Sequence, residues 1–278
     1  MKLAAYESGD RILIGEVDAS GETISPLGER DAFWRDPGEG IRAARGTAVR
    51  FADVKQVPAV PTGARVVCVG LNYRDHALEG GRSEADLPTL PVIFGRWTAS
   101  LVSDGDECPV VEESYDWEGE LGAVVGRRMF RVDERTGLSG VFGYCAFNDL
   151  SARTFQRATP QWTLGKNGER SGPMSPLVTA DEVGDPADGL SLTTRVNGAV
   201  MQDANTSNLI FSVGRLVEYV TQVLALNPGD LIVTGTPAGV GAARKPPVFL
   251  KPGDVVEVEI EKVGRVTNPM VAAPTSEF

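Results

Sequence analysis

The sequence predicts a mostly β, α+β protein, and three observations predict it. Its 278 residues include 32 glycines and 18 prolines, a density of turn formers that suits many short strands better than a helix bundle. Apolar residues recur mostly in short runs bounded by Gly, Pro, Asn or Asp, as strands require. Helical spacing persists over one long stretch only, through Leu209, Ile210, Val213, Leu216, Val217, Val220, Val223 and Leu224. An apolar content of 42% is enough for a substantial core, and the length admits one large domain with an appendage, or two domains.

In chain order, Leu3–Tyr6 and Arg11–Val17 read as a hairpin around Ser8-Gly9-Asp10. Ala32 to Arg45 is weakly helical and interrupted by Pro37 and Gly40, and Thr47–Val54 reads as a strand. Pro58 and Pro61 mark a boundary, so 1–60 is expected as a small N-terminal domain and 65–278 as the main domain. Arg65–Gly70 is a buried-strand pattern, Asn72 to Glu79 suits one or two helical turns, and polar Gly80 to Pro91 suits a mobile loop. Leu121–Val125 and Val141–Phe147 read as core strands, after which Ser151 is placed to cap a helix bearing Arg153 and Gln156. Leu192–Val196 and Ala199–Gln202 flank Asn197-Gly198, a hairpin signal. The long helix ends at Asn227-Pro228-Gly229, and Asp230–Thr234 and Asp254–Glu261 are strands. In the last of these Val256, Val258 and Ile260 alternate with Glu257, Glu259 and Glu261, which predicts one wet face.

Composition excludes several functions. A formal net charge of −11 and a pI near 4.7 repel phosphate backbones and argue against a nucleic-acid partner. Cys68, Cys108 and Cys145 are scattered among apolar neighbours, as reduced thiols in a reducing compartment would be. The start of the chain lacks an apolar signal segment, and no run approaches the roughly 18 apolar residues of a membrane span. The expectation is a cytoplasmic protein with no membrane partner.

The chemistry is concentrated in four places. Glu118 and Glu120 flank Gly119 just before an apolar run, and on a strand they share a face. Two carboxylates held together out of water need a metal ion or a shared proton between them. The glycine leaves room for another backbone to approach on the opposite side. Asp149, at the end of the Val141–Phe147 strand, would complete a three-oxygen set suited to Mg²⁺ or Mn²⁺. Zinc is disfavoured by a single histidine and dispersed cysteines. A Glu-x-Glu pair is common in surface strands, so spacing alone favours a solvated acidic face. His76, the only histidine, lies one helical turn from Glu79, which could orient it as a general base, although an ordinary surface pair has the same spacing.

Arg153 and Gln156 share a helix face suited to a substrate carboxylate, and Lys166 could neutralise a developing enolate. Each alone is also compatible with a solvated surface. In Thr234-Gly235-Thr236-Pro237-Ala238-Gly239-Val240-Gly241, backbone N–H groups and the Thr236 hydroxyl could nest an anion, or simply form a tight turn. Arg244 replaces the third glycine of a dinucleotide fingerprint and no βαβ unit follows, so nucleotide binding is rejected.

Seven blocks in this order resemble the fumarylacetoacetate hydrolase family: VGLNYRDHALE (69–79), DWEGELGAVVG (116–126), NDLSARTFQ (148–156), QWTLGK (161–166), RVNGAVMQDANTSNLIFSV (195–213), PGDLIVTGTPAGVG (228–241) and LKPGDVVEVEIE (250–261). The resemblance spans about 65 to 271 and implies a mixed β-sandwich roll with a small N-terminal domain, usually as a homodimer. It implies Mg²⁺ or Mn²⁺, with Ca²⁺ as a further candidate, on Glu118, Glu120 and Asp149. It implies a His76–Glu79 dyad that activates water, Lys166 at the enolate, and substrate contacts from Arg153, Gln156 and Thr236.

The implied reaction is hydrolytic C–C cleavage of a 1,3-dioxo acid of acylpyruvate or fumarylacetoacetate type, with the Gly80–Pro91 loop as a lid over His76. Decarboxylation of an oxo acid such as oxaloacetate, or isomerisation as by a 2-hydroxyhepta-2,4-diene-1,7-dioate isomerase, uses the same kind of site. A non-catalytic binding protein is the remaining alternative. Two departures stand out. Arg96 occupies a position where many members carry lysine, which places Arg96 among the substrate contacts, and the altered 168–176 stretch is expected to change a pocket wall.

Overall fold

The computed structural model describes residues 1–79 and 83–274. A large mixed sheet runs in the order Val49–Arg50, Thr23–Glu29, Arg11–Val17, Lys2–Ser8, Leu177–Thr179, Val141–Asn148, Gly119–Val125, Leu231–Val233, Val66–Gly70 and Val92–Arg96. A second sheet joins Ala199–Asn205, Ser191–Val196, Val255–Ile260, Gly264–Ala272 and Cys108–Val110. The first three strands continue the large sheet, because Lys2 and Leu3 pair with Val178 and Leu177.

Within the large sheet the strand Gly119–Val125 is covered on both faces, and all of its residues are buried. Strand alternation sends its two sets of side chains into different cores. Leu121 and Ala123 pack with Leu192, Val258 and Ile260 of the second sheet. Val124 packs the other way, with Leu3, Phe147, Leu231 and Val233. Glu118 and Glu120 belong to the Val124 set. At Gly119, on the second-sheet side, a Cβ would lie 2.1 Å from Thr194 Oγ1 and 3.2 Å from Gln202 Oε1. Side chains of the second sheet, rather than a backbone, fill the space that the glycine leaves.

Several local expectations are corrected by tertiary pairing. The predicted Leu209–Leu224 helix is confined to Val213–Thr221, with Ser212 accepting from Arg215 N–H as its cap. Leu209 to Phe211 instead pair with the Asn72–Tyr73 segment, and Leu226 bridges Met129. Of Thr47–Val54 only Val49–Arg50 is strand, followed by a 3₁₀ turn over Phe51–Asp53. Ser151 caps no helix: it pairs with Asp116 in a two-residue strand, its hydroxyl donates to Asp149 O, and the Arg153–Arg157 helix starts after Ala152. The Asn197-Gly198 hairpin and the one-sided Val255–Ile260 strand form as expected, and the three cysteines are free and buried. Of the predicted loop, residues 80–82 lie outside the described residues, and 83–91 contain a short 3₁₀ turn at Glu84–Asp86.

Candidate active site

Glu118, Glu120 and Asp149 meet, each presenting a carboxylate oxygen within 4.8 Å of the others. Backbone pairing makes the meeting unavoidable. Gly119 lies opposite Asn148, Asn148 Oδ1 accepts from Glu118 N–H at 3.1 Å, and Asp149 N–H donates to Glu118 O at 2.8 Å.

Three buried cations surround the carboxylates. Lys166 Nζ donates to Glu118 Oε2 at 2.6 Å and to Asp149 Oδ2 at 2.7 Å. Arg153 Nη1 donates to Glu118 Oε1 at 2.6 Å and to Gln156 Oε1 at 2.9 Å, while its Nε reaches Asp116 Oδ2 at 2.8 Å. Arg96 pairs with Asp149 and donates to Ser171 Oγ at 2.7 Å, Ser100 Oγ at 3.1 Å and Leu150 O at 3.3 Å.

The charges are uneven. Burial alone would raise the Glu118 pKa, but Lys166 and Arg153 outweigh it and hold it down at about 2. Glu120 has no cationic partner within ion-pair distance among the described residues. It accepts from Gly235 N–H at 2.5 Å, and burial with the neighbouring Asp149 and Glu118 charges pushes its pKa well up. Four buried carboxylates (with Asp116) thus face three buried cations, and Glu120 is the uncompensated one. A divalent cation would relieve that repulsion, and the all-oxygen donor set fits a hard ion such as Mg²⁺ or Mn²⁺.

Glu118 and Glu120 line a cavity of about 590 Å³, together with His76, Glu79, Arg153, Gln156, Lys166 and Thr236. The His76–Glu79 pair forms within the Arg74–Glu79 helix, with Nδ1 2.8 Å from Glu79 Oε1. Glu79 Oε2 in turn accepts from Gly239 N–H at 2.9 Å, which anchors the helix to the glycine-rich loop. At Gly239 a side chain is doubly excluded, by φ of +105° and by Met201 O, which a Cβ would meet at 2.2 Å.

The loop does nest anions, and they are the protein's own carboxylates. Gly235 N–H binds Glu120, Gly239 N–H binds Glu79, and the N–H groups of Gly241 and Ala242 bind Asp116 at 2.7 and 2.9 Å. The Thr236 hydroxyl is also engaged, donating to Gly119 O at 3.0 Å and accepting from Gln202 Nε2 at 2.7 Å.

Two further expectations change. Arg96 is not among the residues lining the cavity; it stands behind Asp149 with both of its Nη atoms engaged. Its long planar side chain reaches a carboxylate, two hydroxyls and a carbonyl that a lysine could not engage together. Segment 168–176 contributes nothing to that lining, and Ser171 within it supports Arg96. Residues that sequence reasoning missed include Asp116, which anchors both Arg153 and the loop, and Gln202, which ties Gly119 N–H to Thr236 and Pro237 O. Asp116 had a signal, since it precedes Glu118 by two in the same alternating register. Gln202 had none.

The model of the fumarylacetoacetate hydrolase C-terminal domain matches residues 65–271. The chain is 43% identical over 241 residues to 2,4-didehydro-3-deoxy-L-rhamnonate hydrolase of a Sphingomonas strain, covering 81% of each protein. It is 39% identical over 225 residues to the mitochondrial oxaloacetate tautomerase fahd2 of Xenopus laevis, covering 79% of this chain and 69% of that one. Among solved structures, 2-hydroxyhepta-2,4-diene-1,7-dioate isomerase from Mycobacterium marinum matches with a TM-score of 0.79 at 33% identity, covering 98% of this chain and 100% of the other. Fumarylpyruvate hydrolase from Pseudomonas aeruginosa, in complex with Mn²⁺ and pyruvate, matches with a TM-score of 0.69 at 29% identity, covering 79% of this chain and 92% of the other. With a family match over most of its length and relatives of both hydrolase and tautomerase type, the chain belongs to the fumarylacetoacetate hydrolase family.

Proposed function

We propose that the protein is a divalent-metal enzyme that hydrolyses a C–C bond in a 1,3-dioxo acid through an enolate. The supporting observation is the uncompensated carboxylate cluster opening into the same cavity as the His76–Glu79 pair. Glu118, Glu120 and Asp149 would hold Mg²⁺ or Mn²⁺, which would supply Lewis acidity and a template for vicinal substrate oxygens. The Mn²⁺ complex of the Pseudomonas relative supports a divalent ion without deciding between the two.

The chain's own groups then have these roles. Glu79 accepts from His76 Nδ1–H and leaves Nε2 free to take a proton from water. The resulting hydroxide adds to the carbonyl carbon farther from the substrate carboxylate. The bond from that carbon to its neighbour breaks, and its electron pair becomes the enolate of a 2-oxo acid. The proton held on His76 returns to the enolate carbon, giving a carboxylic acid and a 2-oxo acid. Lys166 and Arg153, already beside the carboxylates, face the developing negative charge. Gln156 shares the cavity, and Thr236 acts mainly by holding the loop against the Gly119 strand.

Oxaloacetate tautomerisation is the second reading, favoured by the relative named for it at 39% identity. It needs His76 to move a proton between carbon and oxygen and no water addition. Screening acylpyruvates, oxaloacetate and ring-cleavage dioxo acids with Mg²⁺ or Mn²⁺, with products identified, separates the readings. New carboxylate from cleavage supports hydrolysis, and a tautomer shift without cleavage replaces it.

A further inference from the structure

The cations of the cavity divide into two kinds. Arg153 and Lys166, on the floor, are each paired with carboxylates at 2.6 to 2.8 Å. Arg157, Arg244 and Lys245 line the same cavity farther out, and none has a carboxylate within ion-pair distance among the described residues. On a chain of net charge −11, three cations without a carboxylate partner thus share one cavity.

Their placement is directional. Arg157 follows Arg153 by four residues on the Arg153–Arg157 helix, so it projects from the same face one turn away from the carboxylate floor. Arg244 and Lys245 follow the Gly241–Ala243 turn on a separate segment. Arg244 is steered by Met201 O, which accepts from Nη2 at 2.7 Å, and its guanidinium lies 5.8 Å from the Trp117 ring centroid. Its Nε is buried with no hydrogen-bond partner. The Phe94 and Trp162 rings, 5.5 Å apart edge to face, add apolar surface to the cavity wall.

We infer that Arg157, Arg244 and Lys245 form a distal anion subsite that selects a substrate with a second carboxylate. The substrate class is then a dicarboxylic oxo acid: its oxo-acid end at the carboxylate floor, its carbon chain against Phe94 and Trp162, and its far carboxylate among the three outer cations. The assignment rests on the oxo-acid reading above and deepens it.

The test uses the Mn²⁺-loaded protein and two acylpyruvates of equal acyl length, one ending in a methyl group and one in a carboxylate. The parent favours the diacid in kcat/KM. The R157Q/K245Q double variant lowers that preference about tenfold, mainly through KM, as two partly screened charge pairs would. R157K/K245R retains it, and about 0.5 M NaCl weakens it in the parent. No preference in the parent, or an equal loss on both substrates in the double variant, overturns the subsite. If neither compound is turned over, the hydrolase reading fails while the subsite is still judged by binding. Glutarate should then raise the melting temperature of the parent more than butyrate does, and the double variant should lose that difference. Equal shifts by both acids would overturn the assignment.

Discussion

The floor and the rim of the cavity are built on opposite principles. On the floor, Asp116, Glu118, Glu120 and Asp149 interlock with Arg96, Arg153 and Lys166, all buried, on or beside strands whose register is set by backbone pairing. At the rim, His76 and Glu79 have one side-chain contact with each other, and Arg157 and Lys245 are exposed with no ion pair among the described residues. A buried charge must be compensated by its neighbours or lose its ionisation, so floor residues depend on one another. A rim charge keeps its water and can change without cost to the fold. The comparison teaches that floor residues are fixed by mutual compensation, whereas rim residues can be exchanged one at a time.

The first way to break this contrast is Glu118→Gln. Mn²⁺ affinity measured by calorimetry should fall by more than about 100-fold, beyond the range typical of losing an outer-shell partner, and turnover should vanish. Unchanged affinity would place the metal elsewhere. His76→Ala should lower hydrolysis by roughly 10²- to 10⁴-fold, the usual worth of a general base, with Mn²⁺ affinity intact. Full-rate hydrolysis would move water activation to another group.

Arg96→Ala probes the floor from behind. Removing one partner of a buried pair should cost about 3–5 kcal/mol in urea unfolding, because Asp149 is left with Lys166 alone, which Glu118 also shares. A cost below about 1 kcal/mol, within the range of exposed pairs, would mean that the floor tolerates loss as the rim does. Gly119→Ala should cost about 1–3 kcal/mol by overpacking against Thr194 and Gln202, and it should weaken Mn²⁺ binding by displacing the flanking glutamates. A neutral result in both measurements would remove Gly119 from the architecture of the site.

The smallest effect separates two residues of one strand. In metal-free protein, ionised Glu118 stabilises the fold above its ordinary pKa of 4.5, and that contribution is lost as the pH falls toward about 2. Glu120 has the opposite sign. Its raised pKa favours the fold at low pH, and that contribution is lost as the pH rises. With chelator at pH 7, Glu120→Gln should therefore raise the melting temperature and Glu118→Gln should lower it. Changes of the same sign would refute the uneven compensation of the two carboxylates.

Much of this was legible in the residues. Strand alternation placed Glu118 and Glu120 on one face, helical spacing paired His76 with Glu79 and Arg153 with Gln156, and Asn197-Gly198 marked a hairpin. Errors arose where local pattern competed with distant partners. The apolar period through Leu209 to Phe211 suits a helix, but their backbone is drawn into pairing with Asn72 and Tyr73. Ser151 has a capping side chain, but its backbone pairs with Asp116. The nest at 234–241 was recognisable from its glycines, whereas its occupants were not, because Glu79, Asp116 and Glu120 come from remote segments.

The sequence by itself determined the β-rich class, the acidic trio, the histidine dyad and the family, because these rest on residue type, short-range period and ordered motifs. Only the tertiary structure decided that Arg96 supports Asp149 instead of lining the cavity, that Glu120 is the carboxylate without a cation, and that Arg157, Arg244 and Lys245 share one rim. Compensation of buried charge and convergence on a cavity depend on separations in space between residues up to more than 100 apart in the chain, such as Glu120 and Gly235. No local pattern encodes those separations.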